Sequence, residues 1–202
     1  MKRQVVVVGA GPGGSAAAFY CAKEGLDVLL IDKETWPRDK ICGDSYLPSL
    51  FPMFEDMGIM KEMSDSAACE PKGLRIIDPD EDYAEFDLQP WLIIPRRIGD
   101  DIIRRGALSS GADFMENFEA SELIIKRGVV KGIRGIHNNK ELTVEADAVV
   151  IADGSHSMLA RQIGIFKEDP EFILCAGRAY YEGIEGMEKG VFEEFYTPSS
   201  LP

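Results

Sequence analysis

A chain of 202 residues is long enough for one sizeable domain or two small ones. Its net charge of −13 weighs against nucleic acid and anionic membrane surfaces as partners. Apolar residues make up 45% and charged residues 28%, ordinary for a globular protein, and no apolar run approaches the ~20 residues of a membrane span.

Four cysteines (Cys21, Cys42, Cys69 and Cys175) show neither CxxC nor metal spacing, and His137 and His156 add no metal cluster. The thiols read as reduced and the protein as cytoplasmic, with peripheral membrane contact left open. Val5–Val8 is too short for the apolar core of a signal peptide, so no leader is expected.

The chain is organised around Val5 to Asp32. An apolar run ends at Gly9, and Gly9, Gly11 and Gly14 follow the GxGxxG spacing. Gly9 permits a tight turn, Gly11 allows close approach of backbone to a pyrophosphate, and Gly14 lets a helix lie close on the strand. Pro12 to Glu24 is the expected helix, whose N-terminus directs N–H groups at phosphates. Asp27–Ile31 is a second strand ending in Asp32, placed to accept hydrogen bonds from a ribose diol. Strand, turn, helix, strand and acid together predict dinucleotide binding.

Residues 33–45 form a polar loop carrying Lys33, Arg38 and Lys40. It reads equally as a solvated loop or as one whose Lys33 or Arg38 meets a phosphate or the adenosine. Cys42-Gly43 is a small pair that would let something flat approach the backbone. Leu47 to Met63 has helical spacing, with Gly58 as a stop. Gly73–Asp78 and Tyr83–Asp87 read as strands around a turn, the entry to a second, antiparallel layer.

Residues 95–112 predict a helix with Ile98, Ile102, Ile103 and Leu108 near one face. Arg96 and Arg97 open it, an unfavourable place for cations that calls for an anion or solvent nearby. A pyrophosphate would be one such anion. Asp113–Glu116 is a short strand. Leu123–Lys126, Val129–Ile136 and Leu142–Val144 follow as a three-stranded meander, turning at Arg127-Gly128 and near Asn138-Asn139. Ala148–Ala152 returns to the buried sheet, and Asp153-Gly154 leaves its end. Asp153 can hold a ribose or water, or simply belong to a capping turn. Ser155 and Ser157 are candidate caps for a short helix ending near Ile163, and His156 reads as a surface residue. Phe172–Tyr181 and Gly190–Tyr196 are the last expected strands.

Assembled, these residues resemble the flavin-dependent reductase and monooxygenase superfamily typified by p-hydroxybenzoate hydroxylase, and within it most resemble the geranylgeranyl reductase family. The likeness rests on GAGPGGSAAA with Asp32, on PRDKICGD (37–44), on PRRIGDDIIRRGALSSGA (95–112) and on IADGSHSMLAR (151–161). GRAYYEGIEG (177–186) also resembles a family strand. Two local departures stand out: Asp32 where glutamate is commoner, and Gly99 where a bulky residue is usual. The resemblance implies an α/β fold: a Rossmann-like FAD-binding parallel sheet with a three-stranded β-meander and part of an antiparallel substrate-binding layer. FAD binding would occupy residues 1–72 and 96–163, and the substrate layer 73–95 and 164–202.

It also implies FAD rather than NAD. The ADP part would lie against Gly9, Gly11, Gly13, Gly14, Asp32 and Lys33. Cys42 and Gly43 would lie near the flavin ring. Arg96 and the backbone near Ala120 would contact the cofactor, and Asp153-Gly154 would sit near its pyrophosphate. Family members take hydride from NAD(P)H onto the flavin and pass it to isoprenoid double bonds or, as monooxygenases, pass electrons to O₂. The substrate would be a small molecule or an isoprenoid lipid. No protein acid or base is identified, Cys42 being the one reactive candidate near the flavin. The alternatives are an aromatic-ring monooxygenase, a halogenase, a nicotinamide dehydrogenase and a non-catalytic fragment. Family members run to about twice this length and carry a third, Gly-Asp motif that is not found here. Leu201-Pro202 falls where a substrate-pocket segment begins. The chain therefore reads as an N-terminal portion, with weak FAD retention and poor stability expected of it alone.

Overall fold

The computed structural model describes residues 1–87, 89, 91–167, 169, 171 and 175–197. In chain order, β1 (Lys2–Val8), α1 (Pro12–Lys23) and β2 (Val28–Ile31) form the first unit. The short β3 (Ser45–Tyr46) precedes α2 (Phe51–Asp56) and α3 (Met60–Asp65). The hairpin β4 (Gly73–Ile77) and β5 (Tyr83–Asp87) is followed by β6 (Leu92–Ile93) and α4 (Arg96–Ser109). Next come β7 (Asp113–Met115), β8 (Phe118–Lys126), β9 (Val129–His137), β10 (Lys140–Ile151), α5 (Met158–Gln162) and β11 (Val191–Phe195).

Six strands form the main sheet in the order β7-β2-β1-β10-β9-β8. The first four run parallel; β9 and β8 return antiparallel as the meander. The fold is therefore the expected α/β class. The all-valine run of β1 is explained by two cores. Val5 and Val7 pack with α1 and α4, while Val6 and Val8 pack with Phe118, Ile133 and Leu159 on the opposite face. Burial on both faces removes the polar alternation that a one-sided strand would show. Each such valine contributes roughly 1.5–3 kcal/mol by leaving water.

The meander turns are those its residues require. Arg127 and Gly128 have φ of 55° and 77°, and Asn138 and Asn139 have 49° and 62°. Two positive φ values in a two-residue hairpin match the twist of the flanking strands.

Several elements differ from the sequence reading. The expected strands at 142–144 and 148–152 are one twelve-residue strand, β10. Its first half pairs with β9 and its second with β1, Glu145 standing opposite both Gly132 and Lys2. The helical pattern from Leu47 to Met63 stops at Gly58 as expected, its φ of +69° being one no helix allows, but a second short helix, α3, follows that stop. On α4 the buried stripe is Gly99, Asp100, Ile102, Ile103, Gly106 and Ala107, while Ile98 is exposed. The small β3–β6 pair was not anticipated. In the second layer, β4 and β5 are antiparallel as expected, but β11 joins β4 in parallel. Residues 175–181 form no strand, and the rest of that expected strand, 172–174, lies outside the described residues, as does Leu201-Pro202.

Candidate functional site

The C-terminal ends of the parallel strands open into a cleft of about 880 Å³. Nine of the twelve positions named from the sequence line it. Gly9, Gly11 and Gly13 come from the turn after β1. Asp32 and Lys33 come from the end of β2, Arg96 from α4, Ala120 from β8, and Asp153 and Gly154 from the end of β10. Gly14, Cys42 and Gly43 do not line it.

The glycines divide by what a side chain would meet. A Cβ on Gly9 would stand 2.3 Å from the Ala152 carbonyl oxygen, and one on Gly14 only 1.7 Å from the Gly9 oxygen. These two hold the turn tight against β10 and α1. Gly11 and Gly13 face open space: Gly13 has nothing within 4 Å, and Gly11 only Arg38 Nη2 at 3.4 Å. A cradle is thus left beside the first turn of α1, whose N–H groups favour an anion.

Asp32 is buried and fixed. Its Oδ2 accepts the Ala10 N–H at 2.8 Å and its Oδ1 accepts the Glu34 N–H at 2.9 Å. Each oxygen keeps a free lone pair, so hydroxyl donors in the cleft can still be accepted. Across the cleft, Asp153 Oδ1 is buried with no partner among the described residues. An orphaned carboxylate oxygen costs free energy unless a donor meets it. Open turn, pinned Asp32 and unsatisfied Asp153 together fit a ligand with phosphates and several hydroxyls, as FAD has. The cleft volume falls at the upper end of the roughly 300–1,000 Å³ common for small-molecule sites.

The anion that compensates Arg96 is internal. Asp100, with 0% exposure, sits one helical turn on and grips Arg96 through two bonds, Nε to Oδ1 at 2.6 Å and Nη2 to Oδ2 at 2.7 Å. It also accepts from Arg38 Nη1 at 2.8 Å and from the Tyr46 hydroxyl at 3.0 Å. Burial first, and then the Asp100 carboxylate, push the Tyr46 hydroxyl well above the ordinary phenol range, so it stays a donor. This cluster also explains the small residue at 99: a Cβ there would lie 2.4 Å from the Tyr46 hydroxyl oxygen. Cys42 is half-buried and does not line the cleft.

Sequence reasoning missed Asp100 and Tyr46 as part of the site. A signal for Asp100 was present: it falls three and seven residues before Ile103 and Ala107, on the apolar stripe of α4. Phe118 and the exposed His156, which read as a bystander, also line the cleft. Ser157 caps α5 by accepting the Ala160 N–H at 3.0 Å, whereas Ser155 does not cap.

Outside the cleft, the segment around residue 178 straps the loop that carries Arg38. Arg178 bonds Asp39 at 2.6 Å and the Lys40 carbonyl at 3.1 Å, and Tyr180 donates to Asp44. Asp44 Oδ1 in turn accepts the Arg96 N–H at the start of α4 at 3.2 Å. Asp39 is held below the usual carboxylate value, first by the hydrogen bond from Arg178. A depressed folded-state value means the contact contributes above the usual carboxylate range and is lost as pH falls through Asp39's own lowered value. Hydrogen-exchange protection at residues 39–44, taken relative to the intrinsic amide rates at each pH, is therefore expected to be high at neutral pH and to fall in acid or in Arg178→Ala. Identical exchange in Arg178→Ala at neutral pH would contradict the strap.

The chain matches the FAD binding domain family over residues 2–177. It is 34% identical over 205 residues to digeranylgeranylglycerophospholipid reductase of Methanothrix thermoacetophila, covering 96% of this chain and 49% of that protein. It is 31% identical to conditioned medium factor receptor 1 of Dictyostelium discoideum, covering 98% of this chain and 42% of that one. Among solved structures, a geranylgeranyl bacteriochlorophyll reductase-like protein of Thermoplasma acidophilum superposes with a TM-score of 0.74 at 32% identity, over 81% of this chain and 42% of the other. The chain thus spans less than half the length of each of these proteins. Among the described residues, no helix is long and apolar enough to cross a membrane.

Proposed function

Because this chain belongs to the family of FAD binding domains, we propose that its cleft holds FAD for a flavin-dependent oxidoreductase of the geranylgeranyl reductase kind. The observation that carries the reading is the pairing of an open Gly11–Gly13 turn with a buried, unpartnered Asp153 oxygen across one cleft. The N–H groups at the start of α1 would take the pyrophosphate, and Asp32 the adenosine ribose. Asp153, with Gly154 beside it, would accept from a ribityl hydroxyl or an ordered water. Arg96 and Lys33 would add positive charge, and the backbone at Ala120 would close the wall beside Phe118. Cys42 and Gly43, in the loop beside the cleft, would lie near the flavin ring.

When bound, FAD supplies hydride and electron transfer; the protein supplies binding, orientation and exclusion of water. The electron donor is proposed to be NAD(P)H. The substrate is proposed to be an isoprenoid double bond, in keeping with the archaeal relative's name. Residues 73–95 and 164–202 would contribute to the substrate side and residues 1–72 and 96–163 to the cofactor side. An isoprenoid substrate makes peripheral membrane contact part of the same proposal.

Titration of the protein with FAD, followed by flavin fluorescence, tests the reading. Saturable binding that ADP competes away and FMN does not reproduce is expected, because the ADP half makes most of the contacts assigned here. Binding of FMN as tight as that of FAD, or no uptake in a large excess of FAD, would overturn it. Asp32→Asn sharpens the test. Its amide N–H₂ would face one of the two backbone donors, so a stability loss of about 1–3 kcal/mol and at least tenfold weaker FAD binding are expected. Denaturant titration and the fluorescence titration read these two effects separately.

A further inference from the structure

Asp100 does not line the cleft itself, yet it is the most heavily bonded buried acid among the described residues. Four residues bear on its role. Its two oxygens accept from Arg96 Nε, Arg96 Nη2, Arg38 Nη1 and the Tyr46 hydroxyl, and Gly99 leaves the space that the Tyr46 ring fills. Two guanidiniums and one carboxylate leave a residual positive charge, and both arginines line the cleft. Arg38 is held on two sides and open on the third. Its Nη1 is on Asp100, its Cζ lies 4.5 Å from the Trp36 ring centroid, and Nη2 is turned toward Gly11, where no described residue accepts from it. A guanidinium with one edge bonded inward and one donor aimed at an open glycine turn is preorganised for an anion.

We propose that Asp100, with Tyr46 behind it, is a positioning residue that fixes Arg38 and Arg96 for the anionic part of the ligand, and that Arg38 Nη2 is a donor to that anion. This rests on the reading of the cleft as an FAD site. Two opposed effects make it testable. Removing the carboxylate raises the positive charge at the cleft, which by itself would tighten anion binding. It also releases two like charges from their shared anchor, which would disperse the donors. Positioning predicts that the second effect wins.

The experiment is FAD titration of the wild-type chain, Asp100→Asn, Tyr46→Phe, the pair Arg38→Met/Arg96→Met, and that pair combined with Asp100→Asn, with melting curves for each. Asp100→Asn is expected to weaken FAD binding about tenfold or more. Tyr46→Phe, which removes one hydrogen bond and keeps the ring, is expected to weaken binding about two- to fivefold with little change in melting. In the arginine-free pair, Asp100→Asn is expected to have no further effect on affinity, the non-additivity of residues that act through one another. Unchanged or tighter FAD binding in Asp100→Asn overturns the proposal. If Asp100→Asn does not fold, Tyr46→Phe decides: a lowered melting temperature with wild-type affinity means a structural role only and overturns it. A wild-type chain that takes up neither FAD nor ADP overturns the functional reading and the positioning role with it, whereas wild-type binding unaffected by these variants overturns the positioning role alone.

Discussion

Gly14→Ala is expected to unfold the chain or to lower its stability by at least about 3 kcal/mol, the upper end of overpacking costs. The added carbon would sit 1.7 Å from the Gly9 carbonyl oxygen and 3.2 Å from the Ala152 Cβ. The first of these is backbone, so no side-chain rotation relieves it. Either α1 lifts from β1 or the turn moves, and the turn cannot move because Gly9 is itself 2.3 Å, at its would-be Cβ, from the Ala152 oxygen. With total stabilities of roughly 5–15 kcal/mol for folded domains, such a loss is most of the margin. Urea unfolding would show the midpoint falling by about 1 M or more, given slopes of about 1–3 kcal/mol per molar. A midpoint within experimental error of the wild type would refute the close-packing role.

Gly11→Glu, three residues earlier in the same motif, is expected to do the opposite: fold normally and lose FAD binding by about a hundredfold or more, equivalent to about 2.7 kcal/mol. Gly11 has φ −62° and ψ 179°, an extended conformation open to any residue, and it precedes the Pro that starts α1. Its side-chain direction is empty apart from Arg38 Nη2 at 3.4 Å. A carboxylate there would pair with Arg38 and occupy the cradle with a charge of the ligand's own sign. An acid at the start of a helix is also favourable to the fold. Equal melting curves with FAD binding removed would establish the turn as the anion cradle. Retained FAD binding in Gly11→Glu would show that the ligand's phosphates lie elsewhere. Set side by side, the two variants separate packing glycines from ligand glycines within the six residues Gly9 to Gly14.

How much was legible in advance follows from the range of the forces. The β1–α1–β2 unit could be read directly, because its determinants are local: apolar runs, glycines at fixed offsets and an acid at a strand end. The same holds for the cleft walls at Asp32 and Asp153, each the first polar residue after an apolar strand end. The meander turns were legible because Arg127-Gly128 and Asn138-Asn139 tolerate positive φ. The continuity of β10 was not. Its two halves have different partners, and nothing within residues 140–151 marks the change. The strap at Arg178 joins residues more than 130 positions apart, and Asp39 looks like any solvated loop acid until that arginine arrives.

The amino-acid sequence by itself therefore determined the glycine turn after β1, the strand ends that carry the cleft acids and the class of the fold, because short-range sterics and hydrophobic period suffice for these. Tertiary structure alone decided that Arg96 answers to Asp100, that Arg38 and Tyr46 join it, and that Gly14 packs while Gly11 faces the open cleft. A buried ion cluster is stable only when desolvated charges from separate segments meet at bonding distance, and which residues meet is settled by the packing of α4 against α1 and by the bonds of Arg38 and Tyr46 to α4.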